Sequence, residues 1–112
     1  MRAMILLAIG AAALAGCATG TEKAAAPATA AERGRLVAAR VCSSCHAIAS
    51  TGESPRAGAP PFRDVRLRYN ALSFQHRMEE IAAGGHFDMP PLTLQPGEAS
   101  DLSAYIESLS TP

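Results

Sequence analysis

The densest chemistry in the chain lies in five residues, Cys42-Ser43-Ser44-Cys45-His46. Two thiols separated by two residues on a helical turn can add to the two vinyl groups along one edge of a haem, and the imidazole that follows then faces the iron. One ring nitrogen of His46 is expected on the metal. The other is expected to donate to a backbone carbonyl, fixing the orientation and basicity of the ring. Three other chemistries use similar residues. A redox-active dithiol wants a strand before the motif and a parallel α/β chain around it, and neither is visible. A structural zinc needs four ligands, yet beyond the motif only His76 and His86 remain, with no second paired spacing. A plain Cys42–Cys45 disulfide would leave long loops with little core to cover. The spacing therefore favours haem attachment.

The elements around the motif read as helices. Thr29-Ala30-Ala31-Glu32 has the spacing of a capping box, and the Ala, Leu and Arg residues that follow through Arg40 predict a helix that runs into the cysteines. From Ala49 to Arg63 the chain holds three Pro and two Gly, which predicts a long loop. A loop of that length in a small domain usually wraps something. A second helix is expected from about Ala71 to Ala83, with Phe74, Met78 and Ile81 on one stripe and Gly84-Gly85 as its end. Pro90-Pro91 break the segment His86 to Gln95 into loop. A last helix is expected to open with Pro96 in its first turn and Glu98 near the positive end of the dipole. It carries Leu102, Tyr105, Ile106 and Leu109 at helical spacing. No strand pattern stands out, so the expected class is all-α, with three to four helices and long loops.

Ahead of these elements, Met1 to Gly16 carry one charge, Arg2, and an apolar run of about a dozen residues. That run is shorter than the roughly 20 residues a bilayer span requires, and its basic start and small-residue end match an export signal. Residues 17–28 are small and polar with one Pro, the composition of a linker. The fold is thus expected within residues 29–112, a length that buries a marginal core without a staple, metal or cofactor.

The residues resemble a known family, the monohaem class I c-type cytochromes, over about residues 30–110. Gly34 in the first helix and Leu102-Ser103-Ala104-Tyr105-Ile106 in the last look like the two helices that cross closely in that family, with the aromatic packed over the glycine. Ala59-Pro60-Pro61-Phe62 is similar to the loop whose Pro carbonyl accepts from the haem-ligating His, a role that would fall to Pro60. Met89-Pro90 resembles the distal-ligand loop, with the Met89 sulfur as sixth ligand. Ala38 and Ala59 depart from the usual bulkier residue and Gly of the pattern. The resemblance implies a small cytochrome c fold around one haem c held through Cys42 and Cys45, with His46 and Met89 on the iron. The residues themselves leave the sixth ligand between two choices. Met78 sits on the Phe74/Ile81 stripe, where a Met is more often core than ligand. Met89 lies in a Pro-stiffened loop and is the expected ligand. His86 is the alternative, and a second imidazole would lower the potential relative to Met. His76, beside Arg77, reads as a solvated surface residue.

Leu14-Ala15-Gly16-Cys17 resembles the bacterial lipoprotein signal box, which implies lipid on Cys17, residues 1–16 as signal peptide and residues 17–28 as a lipid-anchored linker. Two or three acyl chains would anchor the chain stably. Ordinary cleavage after Ala15 is the alternative and implies a soluble periplasmic protein.

Lys and Arg number 10, as do Asp and Glu, but they are unevenly placed. Residues 33–77 hold eight Arg against Glu53 and Asp64, a net of +6, while residues 78–112 hold six acids and no Lys or Arg. Solvated faces on opposite sides are the plain reading, and a dipole that orients a redox partner is the sharper one. Dispersed Arg and few aromatics speak against nucleic-acid binding. The expected function is a monomeric electron carrier rather than an enzyme, exchanging electrons with protein partners in the cell envelope. Alternatives are a fixed haem subunit of a membrane dehydrogenase or oxidase, and a haem enzyme or gas sensor with an open sixth position.

Overall fold

A computed structural model of the chain describes residues 28–109, and over these residues the fold is four helices joined by long loops: α1 (Ala30–Val41), α2 (Phe62–Val65), α3 (Ala71–Gly84) and α4 (Glu98–Ser108). The expected signal peptide, Cys17 and most of the expected linker lie outside the described residues. The capping box read at Thr29 is formed, with the Thr29 Oγ1 accepting from the Glu32 N–H at 3.2 Å and the Glu32 carboxylate accepting from the Thr29 N–H at 2.6 Å. α3 has its own reciprocal cap between Asn70 and Ser73, a pair the apolar stripe did not reveal.

Two boundaries differ from the sequence expectation. The long loop stops at Pro61, and Phe62–Val65 coil into α2, with Pro61 as extended N-cap and Asp64 at the positive end of the turn. α4 begins at Glu98 rather than at Pro96, because Gly97 takes a left-handed φ of 87° and serves as the N-cap, leaving Pro96 outside. The Glu98 side chain reaches back to the Gln95 N–H at 2.8 Å and closes that entry. The single β-type pairing among the described residues is an isolated bridge between His86 and Met89.

The core is built where α1 crosses α4, with α3 also packed on α4. Val37 and Ala38 of α1, Phe62 of α2, Phe74, Met78 and Ile81 of α3, and Leu102, Tyr105 and Ile106 of α4 are buried in one cluster with Cys42 and Leu109. Gly34 is indispensable to the crossing. A Cβ placed there would overlap the Asp101 carbonyl and sit 2.8 Å from the Tyr105 Cβ, closer than real side chains pack. Ala38, fully buried one turn further along α1, adds only a methyl group to the core.

The charge asymmetry has a structural use that opposite solvated faces would not give it. The basic helix α1 lies on the acidic helix α4, so Arg33 forms a two-pronged bond to Asp101 at 2.6 and 2.8 Å. Arg40 meets Glu98 at 2.5 Å. Charges 58 to 68 residues apart in sequence are therefore neighbours along one helix crossing.

Candidate functional site

α1 delivers the Cys-x-x-Cys-His segment at its C-terminal end. Cys42 is the C-cap, its N–H bonded to the Ala38 carbonyl, and the Cys45 and His46 N–H groups both donate to the Cys42 carbonyl, at 3.1 and 2.9 Å. The motif is thus one tight turn continuing the helix, which keeps both sulfurs and the imidazole in a single local frame. Neither thiol is paired in a disulfide. Cys42 is buried in the core cluster and burial pushes its thiol up to about 11, so the sulfur is held neutral; Cys45 is more open.

The loop after the motif folds back on it. Ala47 N–H donates to Ser54 Oγ, the Arg56 N–H donates to the Cys45 carbonyl, and the Phe62 N–H donates to the Ala47 carbonyl. This return path carries Pro60 to the imidazole: His46 Nδ1 lies 2.7 Å from the Pro60 carbonyl oxygen. A carbonyl can only accept, so Nδ1 carries the proton and Nε2 presents its lone pair. The Phe62 ring, 5.7 Å from the His46 ring, flanks it. Tyr105 adds a tie that sequence reading missed. Placed by helical spacing as a packing residue, it also donates its hydroxyl to the Ile48 carbonyl at 2.8 Å, linking α4 to the chain two residues past His46. Burial raises its pKa above the ordinary tyrosine value.

Met89 stands across a separate turn. His86 and Met89 exchange both backbone hydrogen bonds, at 2.9 and 2.8 Å, closing a four-residue turn. Gly85 leads into it with φ 71°, where a Cβ would sit 2.7 Å from the Met89 carbonyl, so the turn can fold onto the end of α3 only with glycine there. Met89 is partly buried and packs against the core, whereas Met78 is buried among Phe74 and Ile81. The His86 Nδ1 accepts from Arg77 of α3 at 2.8 Å, and its ring meets the Phe87 ring at 4.3 Å and a tilt of 60°. His76 is exposed, 3.5 Å from Glu80.

Two free thiols on one turn and an imidazole with its tautomer set by Pro60 are what covalent attachment and proximal ligation of a haem use, and a thioether on a loop packed on the core is one donor able to serve opposite. The residues present therefore fit that group. Among the described residues no three His, Cys, Asp or Glu side chains converge to hold a metal ion without it.

Comparison with known proteins agrees with this chemistry. Residues 31–110 match the family model described as Cytochrome c. No curated protein and no solved structure matches the chain.

Proposed function

The chain belongs to the cytochrome c family as a class I c-type cytochrome, and we propose that it is an electron carrier whose iron is held by His46 and Met89, anchored in a bacterial cell envelope through lipid on Cys17. Its cofactor is haem c, with Cys42 and Cys45 at the attachment spacing, and its role is haem-based electron transfer. The haem supplies a one-electron ferrous/ferric couple.

The observation that carries the His/Met reading is the pair of oppositely prepared axial groups. The Pro60 carbonyl accepts from the His46 Nδ1–H and leaves the Nε2 lone pair for the metal, while Arg77 donates to Nδ1 of the competing His86, which puts that ring's proton on Nε2 and leaves Met89 as the thioether on the distal turn. Both axial positions being filled leaves no place for a substrate, so the protein's task is to exclude water, hold the two ligands and present a haem edge to a partner protein. No acid–base group is needed for that. The envelope location rests on the lipoprotein-type box Leu14-Ala15-Gly16-Cys17 and on the linker behind it. Mass spectrometry of the mature chain reads whether Cys17 carries acyl groups. A fixed place in a membrane oxidoreductase would differ only in the partner.

Carbon monoxide tests the reading. The reduced protein is expected to keep its spectrum under carbon monoxide at neutral pH, because Met89 fills the sixth position. Rapid, complete conversion to a carbon monoxide adduct would instead place the protein among haem enzymes or gas sensors with an open site.

A further inference from the structure

The Met89 turn is held from two sides by arginines. On the α3 side, Arg77 binds Glu80 at 2.7 Å and His86 at 2.8 Å. On the other, Arg56 Nη2 reaches Asp88, the residue before Met89, at 3.0 Å. Arg56 is itself rooted at the attachment motif: its N–H donates to the Cys45 carbonyl, and its carbonyl accepts from the N–H of Ala59, next to Pro60. One residue thus touches by main chain the loop that orients His46 and by side chain the turn that carries Met89.

The turn needs such support. Phe87, at its tip, has φ 47°, and it is the one non-glycine among the described residues in the left-handed region. It is also 96% exposed, its ring meeting the neighbouring His86 ring and not the core, so burial does not hold the backbone there. A bulky residue in that conformation is strained and persists only where the surroundings over-determine it. The reciprocal His86–Met89 bonds, the packing of Met89 on the core, the prolines that follow it and the two arginines are what constrain it.

We propose that Arg56 and Asp88 are positioning residues, an ion-pair clasp across the two loops that slows the opening of the Met89 turn. The proposal rests on Met89 as sixth ligand. The pair is half to four-fifths exposed, so water and salt weaken it. It governs how often the turn opens rather than whether the chain folds. Exposed pairs of this kind change an equilibrium by roughly one-and-a-half- to fivefold.

Imidazole binding to the oxidised holoprotein reads the opening, as does amide hydrogen exchange at Met89, whose N–H is bonded within the turn. Arg56→Gln and Asp88→Asn are each expected to speed both by about two- to fivefold while retaining the thioether-to-iron charge-transfer band. The double variant is expected to go no further than either single one. The exchanged pair Arg56→Asp with Asp88→Arg is expected to return toward the parent rate. Added salt is expected to speed the parent protein and leave the single variants unchanged. Parent-like rates in both single variants, additive effects in the double variant, or a salt-insensitive parent would each overturn the clasp. Met89→Ala separates the two ideas. A charge-transfer band that survives in Met89→Ala removes the ligand assignment and the clasp with it, whereas loss of that band together with parent-like rates in Arg56→Gln removes the clasp alone.

Discussion

At the scale of single residues, the site depends on what each donor is prevented from doing. In the proposed His/Met site, His46 presents Nε2 because its Nδ1–H is bonded to Pro60, and Arg77 occupies Nδ1 of the competing His86. Met89 has no such constraint on its sulfur and depends on the turn beneath it. Met89→Ala is therefore expected to leave the haem attached, since attachment uses Cys42 and Cys45, while opening the sixth position. The charge-transfer band should vanish, the potential should fall, and the reduced variant should bind carbon monoxide. Absorbance and potentiometric titration of the purified variant check all three. Persistence of the band would direct attention to Met78, which would have to leave the core to serve.

Among elements, the α1–α4 crossing decides the geometry of everything attached to α1. Gly34→Ala tests it, because two effects oppose each other there. Alanine is better than glycine within a helix by about 1 kcal/mol, but its methyl group would collide with the Asp101 carbonyl, backbone that cannot swing aside. Overpacking of this kind costs roughly 1–3 kcal/mol or more, and rigid backbone on the other side puts it at the upper end. A net loss of about 2 kcal/mol, or roughly 8–16 °C in Tm for a domain of this size, is expected in thermal unfolding; a variant as stable as the parent would refute the tight crossing. Elements of this length were legible in the sequence because three of them span two turns or more, enough for an apolar stripe and a cap to repeat. α2 was not, since four residues complete a single turn and show no period. The entry to α4 was misplaced by two residues because a proline is acceptable both inside and just outside a first turn, and only the left-handed Gly97 decides between them. Within the site, Cys42, Cys45 and His46 announce themselves by local spacing, and the family pattern points to Pro60 and Met89. Arg56–Asp88 and Tyr105–Ile48 carry no local signal: their partners are brought together only by the finished fold.

For the molecule as a whole, the basic first half and acidic second half are cross-bonded along the helix crossing. The Arg33 guanidinium holds the Asp101 carboxyl below its ordinary range, and the Gln95 N–H, followed by Arg40, does the same for Glu98. A carboxyl whose folded pKa is depressed contributes stability above its unfolded pKa and loses that contribution as pH falls through the folded value. Stability is therefore expected to hold through neutral pH and to decline below the ordinary carboxylate range. The decline should be smaller in high salt, which already screens these exposed pairs. Acid titration followed by circular dichroism in low and high salt checks this, and Asp101→Asn should flatten the low-salt curve at its acid end. The buried sulfur of Cys42 adds a matter of timing. With its thiol pushed up to about 11 and its surface closed by the core, its thiolate population in the finished fold is lower by about a hundredfold than in an open chain. A sulfur so placed has a deadline: its bond is expected to form before the core closes around it, and haem offered to the already folded chain is expected to react slowly at Cys42.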